Sequence, residues 1–335
     1  MDKKLKPTNK TKKFFGSFLR VRELPLLLII IVAMIVMSYL SPAFFKRANF
    51  LSLARGYAIE GTTLIAMTML LVSGVFDLSV GSVMALSGVV CSILLVANVP
   101  LPIAILVGVA VGAVTGSINA FIITRFNISP FIVTFAMLSI ARSVGQAVTE
   151  SNPIRVNNPT FSFMGTGLVA GIPFGFIIVI VLAILADFAM RKVRFFRQLY
   201  FIGGNEAGAS LMGINTKKIR IIAFIFSGLL AAWAGVLSSA RLSSAVPNAY
   251  VGIELKLIVA SVIGGCTLNG GEGTIAGSML GLVFLFILSN AMTLLGINMY
   301  WEYFIYGAFL IGVVLYNMYG SSKLKNQQSV SAQNA

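Results

Sequence analysis

The chain has 335 residues, of which 58% are hydrophobic and 10% are charged, whereas soluble domains carry about a quarter charged residues. This composition excludes an ordinary soluble domain and indicates a polytopic membrane protein. The net charge of +15 does not predict a nucleic-acid partner, because most Lys and Arg residues collect at alternate ends of apolar segments. That distribution is a signal of membrane topology.

A membrane-spanning helix needs about 20 predominantly apolar residues. By this criterion we predict an all-α membrane protein with a cytoplasmic arm at 1–23, a transmembrane domain at 24–318 and a polar, disordered tail at 319–335. The basic arm resembles a signal peptide without a convincing cleavage site, so an uncleaved signal anchor is expected. The predicted spans are 24–41, 54–73, 77–97, 101–124, 130–149, 172–190, 219–240, 252–268, 274–295 and 299–318.

Ten spans place both chain termini in the cytoplasm and the basic loops on the inner side, as the positive-inside rule requires. Lys46 and Arg47 are exceptions that fall on the outer side. The shorter spans, 77–97 and 252–268, leave a second arrangement open, with eight full spans and additional re-entrant segments.

The longest polar interruption is 191–221, with seven Lys or Arg residues and one acid, which predicts a cytoplasmic loop. Gly203-Gly204-Asn205 is interpreted as a turn that leads into a short, two-turn helix. Asn205 is a suitable N-cap, Glu206 suits the first turn, and Gly213 suits the position just after the helix end. This helix is either a plain connector or the site at which a cytoplasmic partner exerts force on the membrane protein.

The sequence predicts no catalytic residue, metal site or bound cofactor. A GxxxxGK[ST] nucleotide loop is excluded because no Gly-Lys pair occurs in the chain. The absence of His and the scattering of the acids disfavour metal clusters and His-dependent triads. Cys91 and Cys266 lie in apolar runs and are expected to be packing residues. The function must therefore lie in moving something across the bilayer.

Charged residues inside spans are costly and usually face a partner or a wet cavity. Arg142 is expected either to form an ion pair with Glu60 or Glu254, or to line a substrate pathway. Asp77 is expected either to cap a helix or to begin a half-helix that lines the pathway. Polar side chains that could bind a polar solute complete a predicted substrate pathway, although the Ser, Thr and Asn side chains could each bond back to their own helix instead. The predicted pathway residues are Asp77, Ser79, Ser82, Asn119, Thr134, Arg142 and Asn290.

Two series of glycines recur every fourth residue and would place a smooth strip on one helix face. Such strips allow close helix packing, or less commonly a sliding seam. The two series are Gly108, Gly112, Gly116 and Gly273, Gly277, Gly281.

Five stretches together resemble the inner-membrane permeases of bacterial ABC importers for simple sugars, and most of all the ribose-type branch, which includes the autoinducer permeases. The resemblance runs in order over about residues 24 to 318. The stretches are SGVFDLSVGSVMALSG at 73–88, SPFIVTFAMLSIAR at 129–142, GGNEAGASLMGINTKKIRI at 203–221, ARLSSAVPNAYVGIELKLIVASVIGG at 240–265 and GGEGTIAGSMLG at 270–281.

The resemblance implies a non-catalytic, multi-pass subunit of the bacterial inner membrane that translocates a pentose, a hexose or a similar small molecule. Its implied partners are an extracytoplasmic sugar-binding protein, a second permease copy (as a homodimer or heterodimer), membrane lipid, and a cytoplasmic ABC ATPase that holds ATP and Mg. It further implies that the loop 191–220 couples to the ATPase, through Gly204, Asn205, Glu206, Ala207 and Gly213. This loop departs from the general importer pattern, because six residues separate Glu206 from Gly213 and no Pro follows.

Three alternatives remain at this point. A secondary transporter coupled to H⁺ or Na⁺ would need acids near the middle of the membrane, whereas the acids here cluster near span ends. A membrane scaffold would not need the polar, Gly-rich spans. A branched-chain amino acid permease is also possible, although the run Phe76–Ser82 looks more like the sugar branch.

Overall fold

The computed structural model describes residues 23–298, 300–312 and 315. The predicted disordered tail 319–335, nearly all of the predicted arm 1–23, and the end of the last predicted span lie outside these described residues. So do the two chain termini, whose predicted cytoplasmic location stays a prediction.

The described residues form helices joined by short loops, with four two-residue strands between them, so the predicted all-α architecture is confirmed at this level. The helices are α1 (Leu24–Leu40), α2 (Arg47–Val72), α3 (Val80–Val96), α4 (Leu101–Phe126), α5 (Pro130–Thr149), α6 (Pro159–Thr166), α7 (Phe174–Lys192), α8 (Arg194–Gly204), α9 (Glu206–Leu211), α10 (Thr216–Leu242), α11 (Ile253–Ile263) and α12 (Ile275–Leu294), and residues 300–312 are also helical. The strands are β1 (Ile154–Arg155), β2 (Leu168–Val169), β3 (Ile172–Pro173) and β4 (Ser244–Ala245).

Five helices, α4, α5, α7, α10 and α12, are long and apolar enough to cross a membrane, and α1 and α3 are shorter apolar helices. The predicted span 252–268 differs, because only the 11 residues of α11 are helical there. At 1.5 Å per residue α11 is about 16 Å long, roughly half the thickness of a bilayer core. A helix of this length is too short to cross the bilayer core by itself, and the number of spans, ten or eight with additional re-entrant segments, stays a prediction.

Helix α10 lies at the centre of the bundle and packs against α2, α3 and α4. Glycines permit this close approach: a Cβ added to Gly112 would lie 2.6 Å from the carbonyl carbon of Gly228, and one at Gly116 would collide with the backbone of Phe224. The packing prediction for this first glycine series is confirmed.

The second glycine series packs α12 against α11. A Cβ at Gly277 or Gly281 would collide with the carbonyl oxygen of Gly264 or Ala260. Gly273 is an exception, because it precedes α12 and has a φ of +141°, so it lies in the turn before the helix and not on its face.

The two ends of the bundle are distinct. The connection 193–215, between α7 and α10, lies at one end, called here the connection end. Helix α10 leads away from it for about 40 Å at 1.5 Å per residue. At the opposite, far end, β1 and β4 pair antiparallel, with Ile154 facing Ala245, and tie the loop after α5 to the loop after α10.

Candidate functional site

Helix α8 lies along the membrane bundle with one apolar face buried. Leu199 and Ile202 are buried, and the Tyr200 hydroxyl donates a 2.8 Å hydrogen bond to the carbonyl oxygen of Gly273. Burial raises the pKa of Tyr200, so its hydroxyl remains protonated and a donor at neutral pH. Gly203 and Gly204 complete this helix, and the predicted Gly203-Gly204-Asn205 turn is wrong, because Asn205 alone separates α8 from α9.

The six-residue helix α9 is capped at both ends by the residues that the sequence predicted, although it is shorter than two full turns. The Asn205 side-chain oxygen accepts a 2.9 Å hydrogen bond from the backbone N–H of Gly208. At the other end Gly213 has a φ of +79° and donates to Ser210 O, while Ile214 donates to Ala209 O. This is the Schellman arrangement, which satisfies the last carbonyl groups of a helix.

The first residues of α9 and the two residues before it are exposed. Gly204, Asn205, Glu206 and Ala207, which the resemblance assigns to coupling, are all exposed, and Glu206 pairs with Arg220 at 3.0 Å.

Two further residues of this surface were missed from the sequence. Leu211 is 90% exposed and Met212 is 65% exposed, at the end of α9 just before Gly213. Large apolar side chains projecting from a polar connection are typical of a protein interface. The sequence marks both residues as apolar, but 191–221 contains other apolar residues, and hydropathy alone does not separate those that the fold buries from those that it exposes.

Backbone contacts hold the end of α8 against the transmembrane helices. A Cβ at Gly203 would collide with Val72 O and lie 2.5 Å from the nitrogen of Gly271, whereas a Cβ at Gly204 would meet nothing within 4 Å. Gly271 N itself donates to Val72 O at 2.8 Å. The connection therefore rests directly on the end of α2 and on the turn before α12.

Four of the predicted pathway residues come together in a buried hydrogen-bond network near the connection end. One Asp77 oxygen accepts from the backbone N–H (2.9 Å) and the hydroxyl (2.6 Å) of Ser79, and the other accepts from Ser227 at 3.0 Å. Asn119 donates to the Ser79 hydroxyl at 3.1 Å, and Ser82 donates to Ser79 O. All five residues are at most 1% exposed.

This network joins α3, α4 and α10 through polar side chains that bond to one another. Asp77 bonds to the N–H of Ser79, the residue just before α3, so it stabilises the approach to the helix and not its first free N–H groups. The arrangement supports a structural role for Asp77 more than a place on an open pathway.

The other predicted pathway residues lie elsewhere. Thr134 is buried and donates to Pro130 O of its own helix at 2.9 Å. In the described residues no contact within 4.0 Å pairs Arg142 with Glu60 or Glu254, although Arg142 and Glu254 are close enough to attract each other electrostatically. Arg142 instead donates to the backbone, to Pro247 O at 3.0 Å and to Ala249 O, and so anchors the loop after α10.

Asn290 lines a cavity of about 590 Å³ at the far end, between α2, α11, α12 and residues 300–312, called here the far-end cavity. Asn290 and Asn49 bond to each other through both side-chain amides, at 2.8 and 3.0 Å. Lys256, also in the wall, pairs with Glu60 at 2.9 Å and lies 3.9 Å from Glu302. Glu60 therefore has Lys256 as its partner and not Arg142.

Among the described residues, no group of three or more Cys, Asp and Glu residues could hold a metal ion. Apart from Thr134 and Arg142, the predicted functional residues lie in three places: the exposed connection, the buried network around Asp77, and the far-end cavity.

Comparisons with known proteins identify the family. Residues 49–314 match the family described as branched-chain amino acid transport system / permease component. The ribose import permease protein RbsC of Haemophilus influenzae is 34% identical over 94% of this chain and 99% of its own length. That of Escherichia coli K12 is 33% identical over 86% of this chain and 91% of its own length.

The L-arabinose ABC transporter permease protein AraH of Azospirillum brasilense is 32% identical over 91% of this chain and 90% of its own length. No solved structure matches the chain. Both the family match and the full-length relatives cover most of the described bundle, and this chain therefore belongs to the family of transport-system permease components.

Proposed function

We propose that this chain is the membrane-spanning subunit of an ATP-driven importer for a simple sugar. The observation that carries the proposal is the connection 193–215, which presents the capped, exposed helix α9 with Leu211 and Met212 projecting from it. The relatives named as ribose and arabinose permeases favour a sugar over a branched-chain amino acid and over ion-coupled transport.

In this proposal the basic connection faces the cytoplasm, as the positive-inside rule predicts, and the chain lies in the bacterial inner membrane. A cytoplasmic ABC ATPase holds ATP and Mg and contacts Gly204, Asn205, Glu206, Ala207 and Gly213. Leu211 adds an apolar anchor, since interface anchors are typically large side chains that become fully buried in the complex.

Closure of the ATPase pair would displace α9, and the rigid backbone contact at Gly203 would pass the displacement to α2 and to the turn before α12. Coupling of this kind requires that the partner bind two states of the permease unequally. A second permease copy completes the translocation pathway, and an extracytoplasmic binding protein delivers the sugar.

The proposal is tested by reversing the charge of Glu206. Glu206→Lys should abolish uptake of radiolabelled ribose and arabinose in cells where it replaces the native chain and the partner subunits are unchanged, while the protein remains inserted at normal abundance. Glu206→Gln, which keeps the shape of the side chain, should retain more uptake. Normal uptake by Glu206→Lys, with the ATPase still co-purifying, would refute the role of the connection.

A charge swap separates coupling from a merely internal ion pair. The double variant Glu206→Lys, Arg220→Glu restores the pair but inverts the charge that the partner meets. If Glu206 faces the ATPase, the swap leaves uptake abolished. Full recovery of uptake would show that the pair matters only within this chain.

A further inference from the structure

We infer that the far-end cavity is a binding site for one neutral, hydroxyl-rich ligand, a monosaccharide, formed within a single copy of this chain. The inference rests on the proposed function, because it names the place where the imported sugar is held. The cavity volume of about 590 Å³ lies within the range of roughly 300–1,000 Å³ found for small-molecule sites.

The charged residues in the wall sum to zero, which points to a neutral ligand. Lys256 lies between Glu60 and Glu302, the Tyr306 hydroxyl bonds to Glu302, and Arg241 is a second basic residue of the wall. Two acids and two bases therefore line the cavity. An ionic ligand would add a charge that the wall as a whole does not balance, and an unbalanced buried charge is unfavourable.

The same paired groups retain unused hydrogen-bonding capacity. A carboxylate has about four acceptor positions and a lysine ammonium has three donors, so each member of the pair can bond to its partner and to a ligand. A sugar hydroxyl donates and accepts at once, and it matches a wall that offers both acceptors and donors. The paired amides of Asn49 and Asn290 extend this pattern to the neighbouring wall.

Aromatic rings complete the wall. The Phe286 ring lies 4.5 Å from the ammonium of Lys256, and Tyr303, which is 54% exposed, lies at the side formed by residues 300–312. Rings of this kind provide an apolar surface with a polar edge, which suits a ligand with apolar C–H faces and a rim of hydroxyl groups. A cavity lined only by charged groups would lack this surface.

The location has a consequence for the transport cycle. In the proposed orientation the far end faces the binding protein, so the cavity is the first place in the permease that a released sugar meets. Because one chain supplies the whole described wall, a transporter with two identical copies would have two such sites.

The inference is tested by substituted-cysteine labelling of the purified full-length chain. Ser289→Cys places a thiol in the cavity wall, Asn157→Cys places one on the exposed far-end loop as a control, and the native Cys91 and Cys266 are buried. A charged, membrane-impermeant thiol reagent is applied with and without D-ribose, L-arabinose or L-leucine. At ten times the Kd about nine-tenths of the sites are filled, so the labelling rate at residue 289 should fall about tenfold.

Two tyrosine variants in the helical residues 300–312 distinguish a specific sugar-binding site from a cavity that the sugar merely enters. Tyr303→Ala removes an aromatic wall and should raise the sugar concentration for half-protection about tenfold, the loss expected for an aromatic anchor. Tyr300→Ala, one helical turn earlier and outside the cavity wall, should leave that concentration unchanged. Equal effects of the two variants would overturn the inference.

The outcomes separate this inference from the proposed function. Protection by ribose or arabinose at residue 289 and not at residue 157 supports the cavity site. If the complete transporter takes up a sugar in cells but saturating amounts of that sugar leave the labelling rate at residue 289 unchanged, the cavity site is overturned and the proposed function stays intact. Protection by leucine alone, or neither uptake nor protection with either sugar, overturns both.

Discussion

Replacing Gly203 by Ala tests whether the connection is held to the membrane bundle by backbone contact. The added Cβ would lie 2.5 Å from the nitrogen of Gly271 and collide with Val72 O. Those two atoms are hydrogen-bonded to each other at 2.8 Å. The methyl group can therefore be accommodated only if α8 moves away or if this hydrogen bond is broken.

The added methyl group at residue 203 costs more free energy through the collision than the helix gains from Ala. Overpacking a close contact costs about 1–3 kcal/mol, and loss of the hydrogen bond would cost about 0.5–1.5 kcal/mol. The preference of a helix for Ala over Gly returns about 0.5–1 kcal/mol. The net cost is about 0.5–4 kcal/mol, which raises the population with α8 released by roughly 2- to 900-fold. Gly204→Ala has the same helix gain without the collision.

Limited digestion with trypsin measures this population, because α8 contains Arg194 and Arg197. Cleavage within α8 should be faster in Gly203→Ala than in the unsubstituted chain, by roughly 2- to 900-fold, as the released population rises. In Gly204→Ala it should be unchanged or slower. If both variants are cleaved at the same rate, the contact with Val72 and Gly271 does not hold the connection.

Three further predictions concern packing, charge and docking. Gly112→Ala should lower the free energy of unfolding by about 1–3 kcal/mol relative to Gly145→Ala, whose added Cβ finds its nearest neighbour at 3.8 Å, as measured by unfolding in mixed detergent micelles. Lys256→Met should cost about 3–5 kcal/mol because it leaves Glu60 unpaired, and adding Glu60→Gln should restore most of this stability in the same assay. Leu211→Ala should weaken binding of the partner ATPase about tenfold or more in a pull-down titration, without lowering the stability of the isolated chain.

Each of these predictions has a result that contradicts it. Equal stabilities of the two glycine variants would mean that α4 and α10 adapt without cost. If the double variant Lys256→Met, Glu60→Gln is no more stable than Lys256→Met, the lost stability comes from altered packing and not from the unpaired charge of Glu60. Undiminished ATPase binding by Leu211→Ala would remove this side chain from the proposed interface.

The features that the sequence predicted correctly depend on neighbours within a few residues. The caps of α9 are examples: Asn205 bonds three residues ahead, and Gly213 closes the helix through bonds to Ser210 and Ala209. Glycines spaced by four predicted close packing for the same reason, because helical geometry alone puts them on one face.

Partners that are distant in the sequence were not predictable in this way. Arg142 bonds to carbonyl groups more than 100 positions away, and any backbone carbonyl could have served. The reach of α11 was overestimated because the apolar run continues through Gly264 and Gly265, where the helix has already ended. Leu211 was missed because hydropathy identifies an apolar residue but not whether the fold covers it.

The crossing of α4 and α10 restricts how this sequence can change over time. At Gly112 and Gly228 each residue faces the backbone of the other, and a side chain on either would strike it. A larger residue in a protein core is often tolerated when its neighbour becomes smaller, but here neither residue has a side chain left to shorten. A change at one glycine can therefore be compensated only by substitutions elsewhere that move a whole helix, and we expect the two positions to have no simple reciprocal exchange.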